Sequence, residues 1–90
     1  MVYLYLSQTV VGYARWKEAF DTHLAARQAG GATAEALILR NVDNPKEIVA
    51  LLGWHDLYAA RLFMQSVSWQ IGLKQMGVVG VPEVLFLEVV

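Results

Sequence analysis

Between Glu47 and Trp54 the chain reads Glu-Ile-Val-Ala-Leu-Leu-Gly-Trp, with no polar residue after the first. At strand periodicity Ile48, Ala50, Leu52 and Trp54 point to one side, and Val49 and Leu51 to the other. Near the end of the chain Leu85, Leu87 and Val89 alternate with Val84 and Phe86 in the same way. A sheet built from such strands has two apolar faces, and both gain by leaving water. One face can be covered by helices. The other calls for a partner sheet, and a homodimer packed face to face is the simplest source of one.

The remaining pattern supplies the helices. Val2 to Val10 is rich in β-branched and aromatic residues and reads as a strand. A helix follows from Gly12 to about Ala29, stopped by Gly30. Thr33 to Val42 reads as a second strand, joined to the Glu47–Trp54 strand through the turn residues Asp43-Asn44-Pro45-Lys46. Asp56 is placed to cap a second helix, in which Leu57, Ala60, Phe63 and Met64 recur at helical spacing up to Ser66. Trp69 to Met76 continues as a separate or kinked helix. Gly77-Val78-Val79-Gly80 reads as a chain reversal, and Pro82 to Val90 as the last strand. The order is βαββαβ, a ferredoxin-like α+β fold with a four-stranded antiparallel sheet in one domain over residues 1–90.

Composition removes several classes of function. The chain of 90 residues has no cysteine, so disulfides, thiolate metal sites and a cysteine nucleophile are all absent. Seven basic residues against eight acidic ones provide no field for nucleic acid. The chain is 57% hydrophobic, yet no apolar run approaches the roughly 18 residues of a membrane span. Met1-Val2-Tyr3-Leu4 has neither a basic leader nor a small-residue cleavage site, so a cytoplasmic location is the expectation. Only His23 and His55 could supply imidazole ligands, and no His/Asp/Glu set has metal spacing, so no metal is expected. Ser7, Ser66 and Ser68 have no base at a fixed spacing.

The first helix carries the chemistry. At about 100° per residue, Tyr13, Trp16, Phe20, His23, Leu24 and Arg27 fall within an arc of roughly 100°. An imidazole and a guanidinium in an otherwise apolar stripe either meet a ligand or have partners elsewhere in the protein. In the first case His23, kept neutral by burial and by Arg27, suits proton abstraction beside a carbonyl, and Arg27 suits stabilising the enolate. In the second, His23 bonds a carbonyl, and Arg27 snorkels or pairs with Glu88 or Asp21. The rings of Tyr13, Trp16 and Phe20 are either core or a stacking surface for a planar substrate. Arg40 shares a strand face with Ile38 and Ala36 and reaches either an acidic residue or a ligand.

Four segments together resemble the dimeric α/β-barrel superfamily, which includes antibiotic-biosynthesis monooxygenases and polyketide cyclases. They are Tyr13-x-x-Trp16-Lys17-x-x-Phe20-Asp21-x-His23-x-x-x-Arg27, Arg40-Asn41-x-Asp43-Asn44-Pro45-x-Glu47, Trp54-x-Asp56-Leu57-x-x-Ala60-x-x-Phe63-x-x-Ser66 and Gly77-Val78-x-Gly80-x-Pro82-Glu83. The match is closest to a subgroup of unassigned activity. Gly12 stands where an acidic residue is expected, which weakens the cap of the first helix.

The resemblance implies a homodimeric barrel with a pocket inside each subunit, between sheet and helices. One wall would be the first-helix stripe, and Phe63, Met64 and Trp69 would face it. It also implies a cofactor-independent monooxygenase, cyclase or isomerase acting on a small hydrophobic enolisable or aromatic molecule. His23 and Arg27 would then be the catalytic pair, and an oxygenase of this kind would draw electrons from the substrate carbanion itself. The alternatives are a non-catalytic module that binds a small apolar molecule, and a structural dimer whose pocket is filled by its own side chains.

Overall fold

The computed structural model describes residues 1–90. Its elements are β1 (Val2–Val10), α1 (Tyr13–Thr22), α2 (Leu24–Ala29), β2 (Ala32–Arg40), β3 (Glu47–Trp54), α3 (Leu57–Met64), α4 (Val67–Gln75) and β4 (Val78–Glu88). The four strands form one antiparallel sheet in the order β2-β3-β1-β4. This is the ferredoxin-like arrangement, with each of its two helical stretches split in two. No helix is long and apolar enough to cross a membrane.

Strand alternation sorts the side chains onto two faces. Leu4, Leu6 and Val10 of β1, with Ile48, Ala50, Leu52 and Trp54 of β3, are buried under the helices. They meet Trp16, Phe20, Ala60, Phe63, Trp69 and Met76, which completes a single core. On the opposite face the register aligns Leu37, Leu51, Tyr5 and Leu85 in one row across all four strands. Leu37, Leu39, Leu85 and Leu87 of that face are 53, 50, 45 and 41% exposed. The apolar second face read from the alternation is therefore present and open.

Local chemistry accounts for the element ends. The Asp56 carboxylate accepts the Ala59 N–H at 2.7 Å and starts α3. Ser66 separates α3 from α4: its hydroxyl donates to the Phe63 carbonyl at 2.6 Å and accepts the Trp69 N–H at 3.1 Å. By contrast Gly12 makes no side-chain cap for α1. The β2–β3 hairpin is held by Asn41, whose side chain accepts the N–H groups of Asp43 and Asn44.

Three boundaries differ from the sequence reading. The single first helix is two, because the chain leaves the helix at His23 (φ −85°, ψ 5°). Thr22 donates its hydroxyl to the Glu18 carbonyl at 2.9 Å, a back-bond that loosens a helix turn. The second strand ends at Arg40 instead of Val42, since Asn41 already turns the chain. The last strand begins at Val78 and not Pro82: Val78 pairs with Val10 and Val79 with Thr9. Gly80 (φ 73°) then sits in a bulge opposite Gln8, where the register shifts between Ser7 and Thr9. Pro82 is tolerated there because β4 is an edge strand and needs no donor at that point.

Candidate functional site

The helix break explains the cation in the first-helix stripe. In a continuous helix the Phe20 carbonyl would accept the N–H of Leu24. Here it accepts the His23 N–H at 3.2 Å instead, and the Arg27 guanidinium also donates to it, at 2.6 Å. The same guanidinium lies 3.7 Å from the centre of the Phe20 ring. Arg27 is only 6% exposed. Burial lowers its pKa to about 10, opposed by the nearby Asp21 carboxylate. Asp21 itself pairs with Lys17 at 2.6 Å. The partner of Arg27 is thus a backbone carbonyl at the kink, which it shares with the His23 N–H.

His23 stands at the kink and hydrogen-bonds through Nε2 to the side-chain carbonyl oxygen of Gln75 on α4. Its ring rests against Gly72, where an added Cβ would lie 3.5 Å from Cε1. Tyr13, Trp16 and Phe20 form a ladder of rings, with Trp16 and Phe20 stacked at 4.8 Å. Trp16 is fully buried and Phe20 nearly so, so their rings occupy the space between α1 and the sheet. Arg40 projects over the Tyr13 ring at 5.0 Å.

Open space lies under the other helix pair. A cleft of about 440 Å³ runs between α3, α4 and the edge strand β4. That volume is in the range of small-molecule sites. Its apolar lining includes Met64, Trp69, Leu73, Val84 and Phe86, and its polar lining is Arg61, Gln65 and Gln70. The bulge residues Gly80, Val81 and Pro82 form one rim. Ser66 sets the wall, because its cap starts α4 and so positions the Trp69 ring one turn later.

Of the eight candidate site residues, the structure brings Met64 and Trp69 together in this cleft. Phe63 lies behind them, packed between Trp69 at 6.0 Å and Trp54 at 5.1 Å. Tyr13, Trp16, Phe20, His23 and Arg27 do not line it. The sequence reading expects the pocket against the first-helix stripe; the cleft found lies between α3, α4 and β4, and that stripe does not line it.

Sequence reasoning missed Arg61, Gln65 and Gln70. A signal was available: Arg61 and the C-cap residue Gln65 are four residues apart and so lie on the same side of the helix end as Met64. The cleft contains no carboxylate and no imidazole; its one charged group is Arg61. The Arg61 guanidinium sits 4.8 Å from the centre of the Phe86 ring. Lys17–Asp21 is the one ion pair of the chain, so no carboxylate neutralises Arg61.

No family model matches the chain, and no curated protein matches it by sequence. Solved structures do match its shape. A Bordetella bronchiseptica protein provisionally named an antibiotic biosynthesis monooxygenase superimposes with a TM-score of 0.81 at 17% identity, over 99% of this chain and 96% of that one. SnoaB, a cofactor-independent oxygenase from Streptomyces nogalater, gives 0.73 at 21% identity, over 98% and 91%. A Caulobacter crescentus protein with the same provisional name as the first gives 0.74 at 15% identity, over 99% and 89%. The chain has the ferredoxin-like fold of these antibiotic biosynthesis monooxygenase-like proteins.

Proposed function

We propose that this protein is a cofactor-independent enzyme, of the monooxygenase, cyclase or isomerase kind, acting on a small hydrophobic enolisable or aromatic molecule. The observation that carries the proposal is the cleft under α3 and α4, apolar on most of its surface and furnished with three polar side chains. The likeness in fold to SnoaB supports the oxygenase form. The proposal seats the substrate against Met64, Trp69, Leu73 and Phe86, and leaves Tyr13, Trp16, Phe20 and Phe63 to the core. Arg27 serves the α1–α2 kink. His23 braces that kink against α4.

The chemistry fits a substrate that acidifies its own C–H bond. A methylene flanked by carbonyl or aryl groups loses a proton to solvent and becomes a carbanion. The carbanion passes electrons to dioxygen; one oxygen atom ends in a new carbonyl and the other leaves as water, so CH2 and O2 become C=O and H2O. The cleft's contribution is to orient the molecule and to strip water from the reacting carbon. The absence of a carboxylate or imidazole in the cleft favours a second reading, a module that binds such a molecule without turning it over.

Dithranol, a tricyclic compound with an acidic methylene, tests both readings. The wild-type protein is expected to accelerate dioxygen uptake and quinone formation by about a hundredfold over buffer. Val84→Trp, which fills the cleft, should remove the acceleration by about tenfold or more and weaken binding in parallel. Binding without turnover would leave the module reading. Equal behaviour of both proteins would move the site out of the cleft.

We also infer that the chain works as a homodimer joined through its open sheet face. Support comes from the Leu37–Leu51–Tyr5–Leu85 row, which a second copy would cover with the same row. Light scattering at micromolar concentration is expected to give the mass of two chains. Leu51→Asp, at the centre of the row, should give one chain, because a carboxylate there would be buried without a partner.

A further inference from the structure

The charge of the cleft is unbalanced. Arg61 is its only ionic group, and it faces Gln65, Gln70 and apolar side chains. Glu88 lies in the adjoining groove, on the far side of Arg61 and Phe86, and makes no ion pair with it. An arginine is cationic at any ordinary pH and presents five N–H donors. Arg61 is exposed to solvent, and its guanidinium is held over the Phe86 ring at the border of a mostly apolar cleft. A neutral ligand would leave it unanswered; an anionic one would complete it with a charge-assisted hydrogen bond.

Resting on the reading that the cleft is the substrate site, we propose that it takes its substrate as an anion selected by Arg61. The substrate class is a planar aromatic or enolisable acid, ionised near neutral pH as a carboxylate, enolate or phenolate. The aromatic body lies against Trp69 and Phe86, and the ionised oxygen meets the guanidinium. In this role Arg61 determines specificity. The same cation favours the ionised form of an enolisable substrate over its neutral form, which raises the fraction ready to react.

Two probes of nearly equal shape separate charge from fit: 1-hydroxy-2-naphthoate and 1-hydroxy-2-naphthamide, each titrated calorimetrically. The wild-type protein is expected to bind the carboxylate about tenfold more tightly than the amide. Arg61→Gln should abolish that preference while keeping amide affinity within about threefold. Arg61→Lys should restore part of it, less than arginine because the lysine lacks the fork. Equal binding of the two probes by the wild type would overturn the selection by charge and leave the cleft as a site. A preference that survives in Arg61→Gln would assign it to another group and equally overturn the proposal. Failure of the wild type to bind either probe would overturn the cleft reading and this inference with it.

Discussion

Trp54→Ala is expected to leave the chain largely unfolded at physiological temperature. Trp54 has no exposed surface, packs on Phe63 at 5.1 Å and donates its indole N–H to the Gly30 carbonyl at 3.0 Å. It therefore joins the end of β3 to the end of α2 and to the last turn of α3. Truncating a buried tryptophan costs about 3–5 kcal/mol through the cavity it leaves, and the orphaned carbonyl adds roughly 1 kcal/mol or more. A chain of this size has a total stability of only about 5–13 kcal/mol. Trp54→Phe keeps the ring contact and loses the hydrogen bond, so it should cost about 1–2 kcal/mol. Thermal melts followed by circular dichroism check both. A melting temperature for Trp54→Ala within a few degrees of wild type would contradict the packing described for this ring.

Arg27→Ala should be nearly as damaging although it removes a charge from the core. The guanidinium is the shorter of two donors to the Phe20 carbonyl at the α1–α2 kink, and its loss leaves that carbonyl with the His23 N–H alone and the Phe20 ring uncovered on one side. The expected cost is about 3 kcal/mol, or a fall in melting temperature of roughly 15 °C. The pH dependence identifies the cause. Folding lowers the Arg27 pKa to about 10, because burial disfavours the cation. Below pH 10 both states hold the proton and the burial penalty is fully present. Above about pH 10, up to the ordinary arginine range, the unfolded chain binds more protons than the folded one, so stability rises with pH across that window. Denaturant titrations of wild type and Arg27→Met over this range should show the wild type gaining relative to the variant. No relative gain would mean that the guanidinium is not desolvated.

Strands with a strict period were legible from the chain alone: β1 and β3 run over the residues that alternation marks out, and Asp56 caps α3 as its position suggests. The two-faced sheet followed from the same alternation. What stayed hidden depends on contacts between distant segments. The start of β4 looks like a loop because Gly80 and Pro82 are poor strand residues, and only pairing with Val10 and Thr9 makes Val78–Val81 part of the sheet. The kink at His23 has no glycine or proline to announce it; a threonine back-bond and a guanidinium from the next turn make it. The position of the cleft was illegible for a similar reason. Helix periodicity says that Trp16 and Phe20 face inward, but not that they fill the room they face. Once they do, the roomier cleft is left where α3 and α4 stand off β4, with Arg61 as its charged group.

The bulge at Gly80 has a consequence for how copies of this chain can meet. An exposed edge strand is a row of free N–H and C=O groups that invites another strand, and strands added edge to edge have no natural end. On β4 that row is interrupted by a left-handed glycine and by a proline with no N–H to offer. A protein that leaves a leucine-rich sheet face open to water is thus poorly equipped to polymerise along its β4 border. In the proposed homodimer, two copies related by a two-fold axis would meet through the flat face instead and use up its apolar surface. The same few residues that rim the cleft also break the hydrogen-bonding edge of the strand.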